Sequence, residues 1–164
     1  MMPPVRVKRL TAATLATSAL VFGLSVLAGN GRAQAARPVT YSCTATDRQF
    51  ISTVSTNLTQ LGYWSDALVS HDVLPGVVVK QAKDESDQVR ATGPNDRTLH
   101  ATRDLLSSMF LEYSHAVSAS AHGRSGQKQL VSAWRLAHSV HDLLAGAKDG
   151  LAAKGCDVSP LLTS

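Results

Sequence analysis

The chain contains two cysteines, Cys43 and Cys156, and they lie near opposite ends of its longer, C-terminal part. In an oxidising compartment an even count reads as a bridge, and two cysteines allow one pairing. Such a bridge constrains topology before anything else does, because everything between the two positions must start and finish at the same place. Closing a loop of this length stabilises a fold by about 4 to 5 kcal/mol in the chain-entropy account. The pair lacks C-x-x-C spacing, so neither thiol redox chemistry nor a zinc site is expected of it.

The compartment is read from the N-terminus. Arg6, Lys8 and Arg9 form a positive n-region, the stretch from Leu10 to Gly29 is apolar, and Ala33-Gln34-Ala35 has the small-x-small form of a cleavage site. Together these three parts make a secretory signal over residues 1–35, with the cut expected after Ala35. Thr11, Thr14, Thr17, Ser18 and Ser25 dilute the apolar run, which favours removal over retention as an anchor. No stable membrane insertion is expected once the signal is gone.

Between the cysteines the apolar residues recur at helical spacing. Ile51, Val54, Leu58, Leu61 and Leu68 form one stripe, with Ser65 at the vacant heptad position, and Thr44-x-x-Asp47 resembles a capping box at its start. Pro75 suits the first position of a second helix carrying Val77, Val78, Ala82 and Val89, which Thr92-Gly93-Pro94-Asn95 ends. Asn95 or Asp96 caps a third, striped by Leu99, Leu106, Met109, Phe110, Tyr113, Val117 and Ser120. The fourth carries Leu130, Ala133, Trp134, Ala137, Val140, His141, Leu144, Ala147 and Leu151, and Gly155 closes it next to Cys156.

The expected fold class is therefore all-α: an up-down-up-down four-helix bundle, closed by one disulfide and preceded by a signal peptide. Residues 36–164 form a single domain, with helices near 44–70, 75–91, 96–122 and 127–154. Short links make consecutive helices antiparallel, and four antiparallel helices return the chain to its starting pole. Periodicity and cysteine position thus agree on one topology.

The formal charge of +4 is misleading about partners. Arg6, Lys8, Arg9 and Arg32 all precede the expected cut and no acidic residue does, which leaves twelve Lys and Arg against twelve Asp and Glu. A balanced chain lacks the cationic face that phosphate binding requires, so no nucleic-acid partner is expected. No nucleophile elbow, H-E-x-x-H, phosphate loop or Cys-His pair occurs, and no enzymatic activity is expected. The arginines fall at or beyond the margins of the apolar stripes, so an interior anion site of the kind found in helical mutases is not foreseen; Arg103 comes nearest to one.

All six histidines follow residue 70. Glu112-x-x-His115 has di-iron spacing, yet both residues point away from the third stripe, and the first helix offers no Glu. His141 shares a face with Trp134 and Leu144 and is expected to look into the bundle, with His138 at the stripe's edge. A transition metal or haem held by His138 and His141, completed by Tyr113 or a carboxylate, is one expectation. Small exported haem carriers place a histidine four residues after a tyrosine, whereas here Tyr63 is followed at that distance by Ala67 and Tyr113 by Val117.

Tyr63 is expected to be exposed and Trp64 to flank the core, since adjacent helical residues diverge by about 100°. The run Lys80, Lys83, Asp84, Glu85, Asp87, Arg90 reads as a self-pairing solvated face. The leading functional expectation is an exported, non-enzymatic binding or interaction module without a resident cofactor. It would dock an envelope or extracellular protein through a helix face or the end of the bundle.

Overall fold

The computed structural model describes residues 41–163, and the signal-peptide expectation lies outside them. Four main helices pack against one another: α1 (Ala45–Val69), α2 (Pro75–Ala91), α3 (Arg97–Ala121) and α4 (Gln127–Ala153). A short α5 (Ser159–Leu162), not foreseen in the sequence, follows. Among the described residues there is no strand, and no helix is long and apolar enough to cross a membrane.

Local chemistry sets each helix end. The Thr44 hydroxyl accepts from the Asp47 N–H at 3.2 Å while the Asp47 carboxylate accepts from the Thr44 N–H at 2.9 Å, a reciprocal capping box. After α1 the chain turns through His71 at φ 64°, and Pro75 opens α2 where its missing N–H costs nothing. Asp96 caps α3 by accepting from the N–H groups of Thr98 and Leu99.

The end of α4 explains the position of the second cysteine. Gly155 takes φ 84°, which lets its N–H reach the Ala152 carbonyl at 2.8 Å and the Cys156 N–H reach the Leu151 carbonyl at 2.9 Å. This is a Schellman motif, and glycine supplies the left-handed residue it needs. It turns Cys156 onto Cys43, with 5.2 Å between their Cα atoms, and the two form a disulfide across a sequence separation of 113. The Cys43 N–H also donates to the Lys154 carbonyl at 2.7 Å.

The start of α1, the start of α3 and the end of α4 therefore meet at one pole, since Asp47 also accepts from the N–H groups of Asn95 and Asp96. Phe50, Val54, Leu99, Leu106, Phe110, Leu144 and Leu151 fill the core. Helix α3 lies close along both α2 and α4, whereas α1 makes its closest backbone approaches to α2 and α5. Val158 and Leu161 of the C-terminal segment close the core beneath the disulfide.

Two faces differ from the sequence reading. On α4, flanked by half-buried Gln129, Ser132, Leu136 and Leu143, the positions Ala133, Ala137, Val140, Leu144, Ala147 and Leu151 are buried or half-buried at a regular four-three spacing. Trp134 and His141 each sit one residue past it, about 100° round the helix, and are exposed. The inward side of α4 carries three alanines beside Val140, Leu144 and Leu151, and the large indole is left outside. On α2 the buried residues Val78, Ala82, Glu85, Ser86 and Val89 place Glu85 in the seam instead of on the solvated face expected for it.

Candidate functional site

The pole that carries the disulfide has its buried carboxylates paired, and its grooves are smaller than that of the opposite pole, about 430 Å³ beside Arg48, Ile51 and Gly155 and about 460 Å³ beside Thr46, Gln88 and Gly93. Asp47 is buried and gathers five donors: the Thr44, Asn95 and Asp96 N–H groups, the Tyr41 hydroxyl at 2.9 Å and the Thr44 hydroxyl at 2.7 Å. Burial pushes its carboxyl up, but the N–H groups of Asp96 and Thr44 and the two hydroxyls outweigh that and hold it at about 2. Asp96 is likewise lowered: burial opposes, while the Lys154 ammonium at 2.8 Å and the Thr98 and Leu99 N–H groups prevail. The same pole holds a set of three donor residues within 4.8 Å of one another, Cys43, Asp47 and Cys156, but its sulfurs are spent on the disulfide.

The opposite pole is built differently. There the end of α1, the start of α2, the end of α3 and the start of α4 surround a groove of about 680 Å³. Tyr113, Ala116, Val117 and Ser120 of α3 line it, Leu68 of α1 and Leu130 of α4 stand beside them, and His71, Arg124 and Gln127 add polar groups. The small side chains of α3 leave the space, and the Tyr113 hydroxyl, 2.7 Å from the Ser65 hydroxyl, ties α3 to α1 beside it.

Apolar surface continues around this groove. The exposed large hydrophobic side chains among the described residues are Tyr63, Val69, Leu74, Val77, Leu130, Val131 and Trp134. All seven belong to the last third of α1, the α1–α2 turn, or the first turns of α2 and α4. Scattered apolar side chains are ordinary on a protein surface; their confinement to one end is not.

The expected ligand set is not assembled. Tyr113 lines the groove and pairs with Ser65, whereas His138 and His141 lie on the outer face of α4. Their rings are stacked at 6.4 Å between centroids, and Trp134 stacks on His138 at 5.4 Å. His115 is exposed as expected, and Glu112 is half-buried. Arg103 turns to Asp104 and His100 instead of the interior. Tyr63 is exposed and Trp64 half-buried, as their adjacency implied, and the two rings meet edge to face at 5.1 Å.

Glu85 is the buried group that the sequence reading missed. Its Oε1 accepts from Gln81 at 3.3 Å, while Oε2 is buried without a hydrogen-bond partner among the described residues. Burial pushes its carboxyl up to about 7, with the Gln81 amide opposing and Asp84 adding to the rise. The signal was present in the spacing of Val78, Ala82 and Val89, which leaves position 85 on the same seam. Compared with known protein families, curated proteins and solved structures, the chain matches none.

Proposed function

We propose that this chain is an exported, non-enzymatic binding module that presents the pole opposite its disulfide to an apolar segment of an envelope or extracellular protein. One observation carries the reading: the large exposed hydrophobic side chains cluster around the one end of the bundle that also holds the 680 Å³ groove. The up-down-up-down order is supported by the meeting of the α1 start, α3 start and α4 end at the stapled pole. Export is supported by the tripartite N-terminus and the cysteine pairing.

A macromolecular occupant fits better than a small one. Small-ligand pockets enclose most of their ligand, whereas here Val69, Leu74, Val77, Val131 and Trp134 extend apolar surface beyond the groove's lining residues. An apolar helix or strand seated between Leu68 and Leu130 would cover both the groove and part of that rim. The test places photo-reactive benzoyl-phenylalanine at position 130, or at position 46 of the stapled pole, in the cells that export the protein. Position 130 is expected to give one saturable adduct with another exported protein, position 46 none, and Ser120→Phe to reduce that adduct at least tenfold by filling the groove, a loss of about 1.4 kcal/mol or more. An adduct of two copies of this chain, equal labelling from both poles, or no adduct overturns the proposal.

A further inference from the structure

The outer face of α4 carries a second feature, independent of the groove. His138, His141 and Asp142 cluster over one turn: the Asp142 carboxylate lies 3.8 Å from His138 Nε2 and 3.6 Å from His141 Nδ1. All three side chains are more than half exposed. Beyond these contacts and the ring stacking, the two imidazoles make no hydrogen bond among the described residues.

Two other histidines, His100 and His122, are already engaged. His100 and Asp104 of α3 have the same four-residue spacing and approach to 3.6 Å, but the Arg103 guanidinium contacts both, 3.0 Å from His100 Nε2 and 2.8 Å from Asp104 Oδ1. A cation already occupies that seat. His122 Nδ1 lies 2.7 Å from the Ser118 carbonyl. On α4 no Lys or Arg contacts Asp142, so its charge faces two imidazoles and water.

We infer that His138, His141 and Asp142 form a divalent transition-metal site on the open face of α4, with copper(II) the most tightly held first-row ion. Two imidazoles and a carboxylate are borderline donors that suit copper, nickel and zinc, and at a site of fixed donors affinity peaks at copper. The helix sets the spacing; as the side chains stand the three donors do not all lie within 4.8 Å of one another, and binding would rotate these exposed side chains to bonding distance of about 2 Å. Water completes the coordination. The bound ion would draw His138 away from the Trp134 ring, so the indole reports on the site.

The test uses the mature, disulfide-bonded chain at pH 7.5, titrated with copper(II), nickel(II) or zinc(II) chloride in a non-chelating buffer. Calorimetry is expected to give one ion per chain, and copper to quench indole emission saturably. His138→Ala and His141→Ala should each weaken binding roughly tenfold or more, and Asp142→Asn by a smaller factor. Trp134→Phe should abolish the quench while leaving the calorimetric binding intact, which assigns the signal to Trp134 and not Trp64. His100→Ala should change nothing. Every substituted position is exposed, and an unchanged melting temperature confirms that each variant folds. Binding that survives the His138→Ala/His141→Ala double variant, or no saturation below millimolar metal, overturns the inference. Neither result bears on the groove.

Discussion

Glu85 and Asp47 are both buried carboxyls, and their surroundings push them in opposite directions. Asp47 is encircled by donors and held at about 2; Glu85 has a single weak donor and is pushed up to about 7. A carboxyl held low contributes stability above its ordinary value near 3.8, and that contribution is lost as the pH falls through about 2. A carboxyl held high folds best when neutral, so its contribution is complete below about 4.5 and disappears as the pH rises through about 7. The two windows leave a maximum of stability near pH 4 to 5, below the range usual for proteins. Urea midpoints measured from pH 2 to 8 should fall on both sides of that maximum. Glu85→Gln should flatten the neutral side and raise stability at pH 8 by roughly 1 to 3 kcal/mol, the cost of a buried unpaired polar group. A variant that keeps the wild-type slope between pH 5 and 7.5 removes Glu85 as its cause.

At the scale of elements, helix boundaries were legible because caps and breakers are local: Thr44 with Asp47, Pro75, Asp96 and Gly155 all act where the sequence places them. The facing of α4 was legible in part: Ala133, Ala137, Val140, Leu144, Ala147 and Leu151 lie inward as the spacing implies, while Leu130, Trp134 and His141, on the edges of that stripe, are exposed. The α3–α4 connection shows how close that packing is. A Cβ on Gly126 would lie 2.3 Å from the Ala116 carbonyl oxygen, a backbone atom that cannot move aside, whereas one on Gly123 would meet nothing within 4 Å. Gly123 needs its glycine for another reason, its φ of 68°. Gly126→Ala is expected to cost about 2 to 3 kcal/mol through overpacking and Gly123→Ala about 1 kcal/mol through backbone strain. Chemical denaturation of the two variants checks the order, and equal losses would mean that the helices separate freely at this turn.

For the whole molecule, the cysteine positions and the helical periods were enough to read a stapled all-helical chain, because both are properties of spacing. The polarity of the bundle was not readable, since Tyr63, Val69, Leu74 and Val77 share an end with Trp134 only once the helices are folded against one another. The same assembly predicts how the protein should come apart. Helix α3 approaches both α2 and α4 closely along its length; α1 is held by α2, by α5, by its larger side chains in the core and by Cys43. Replacing both cysteines by serine removes about 4 to 5 kcal/mol of loop-closure stabilisation, a drop in melting temperature of roughly 15 °C. The loss should not fall evenly. In amide hydrogen exchange of the variant, α1 should lose protection first while α3 between its two close neighbours keeps most of its own, because sub-global opening follows the weakest contacts. Equal loss across all four helices would mean that α1 is as tightly bound as the rest, and that the disulfide secures the bundle as a whole instead of fastening one helix to the other three.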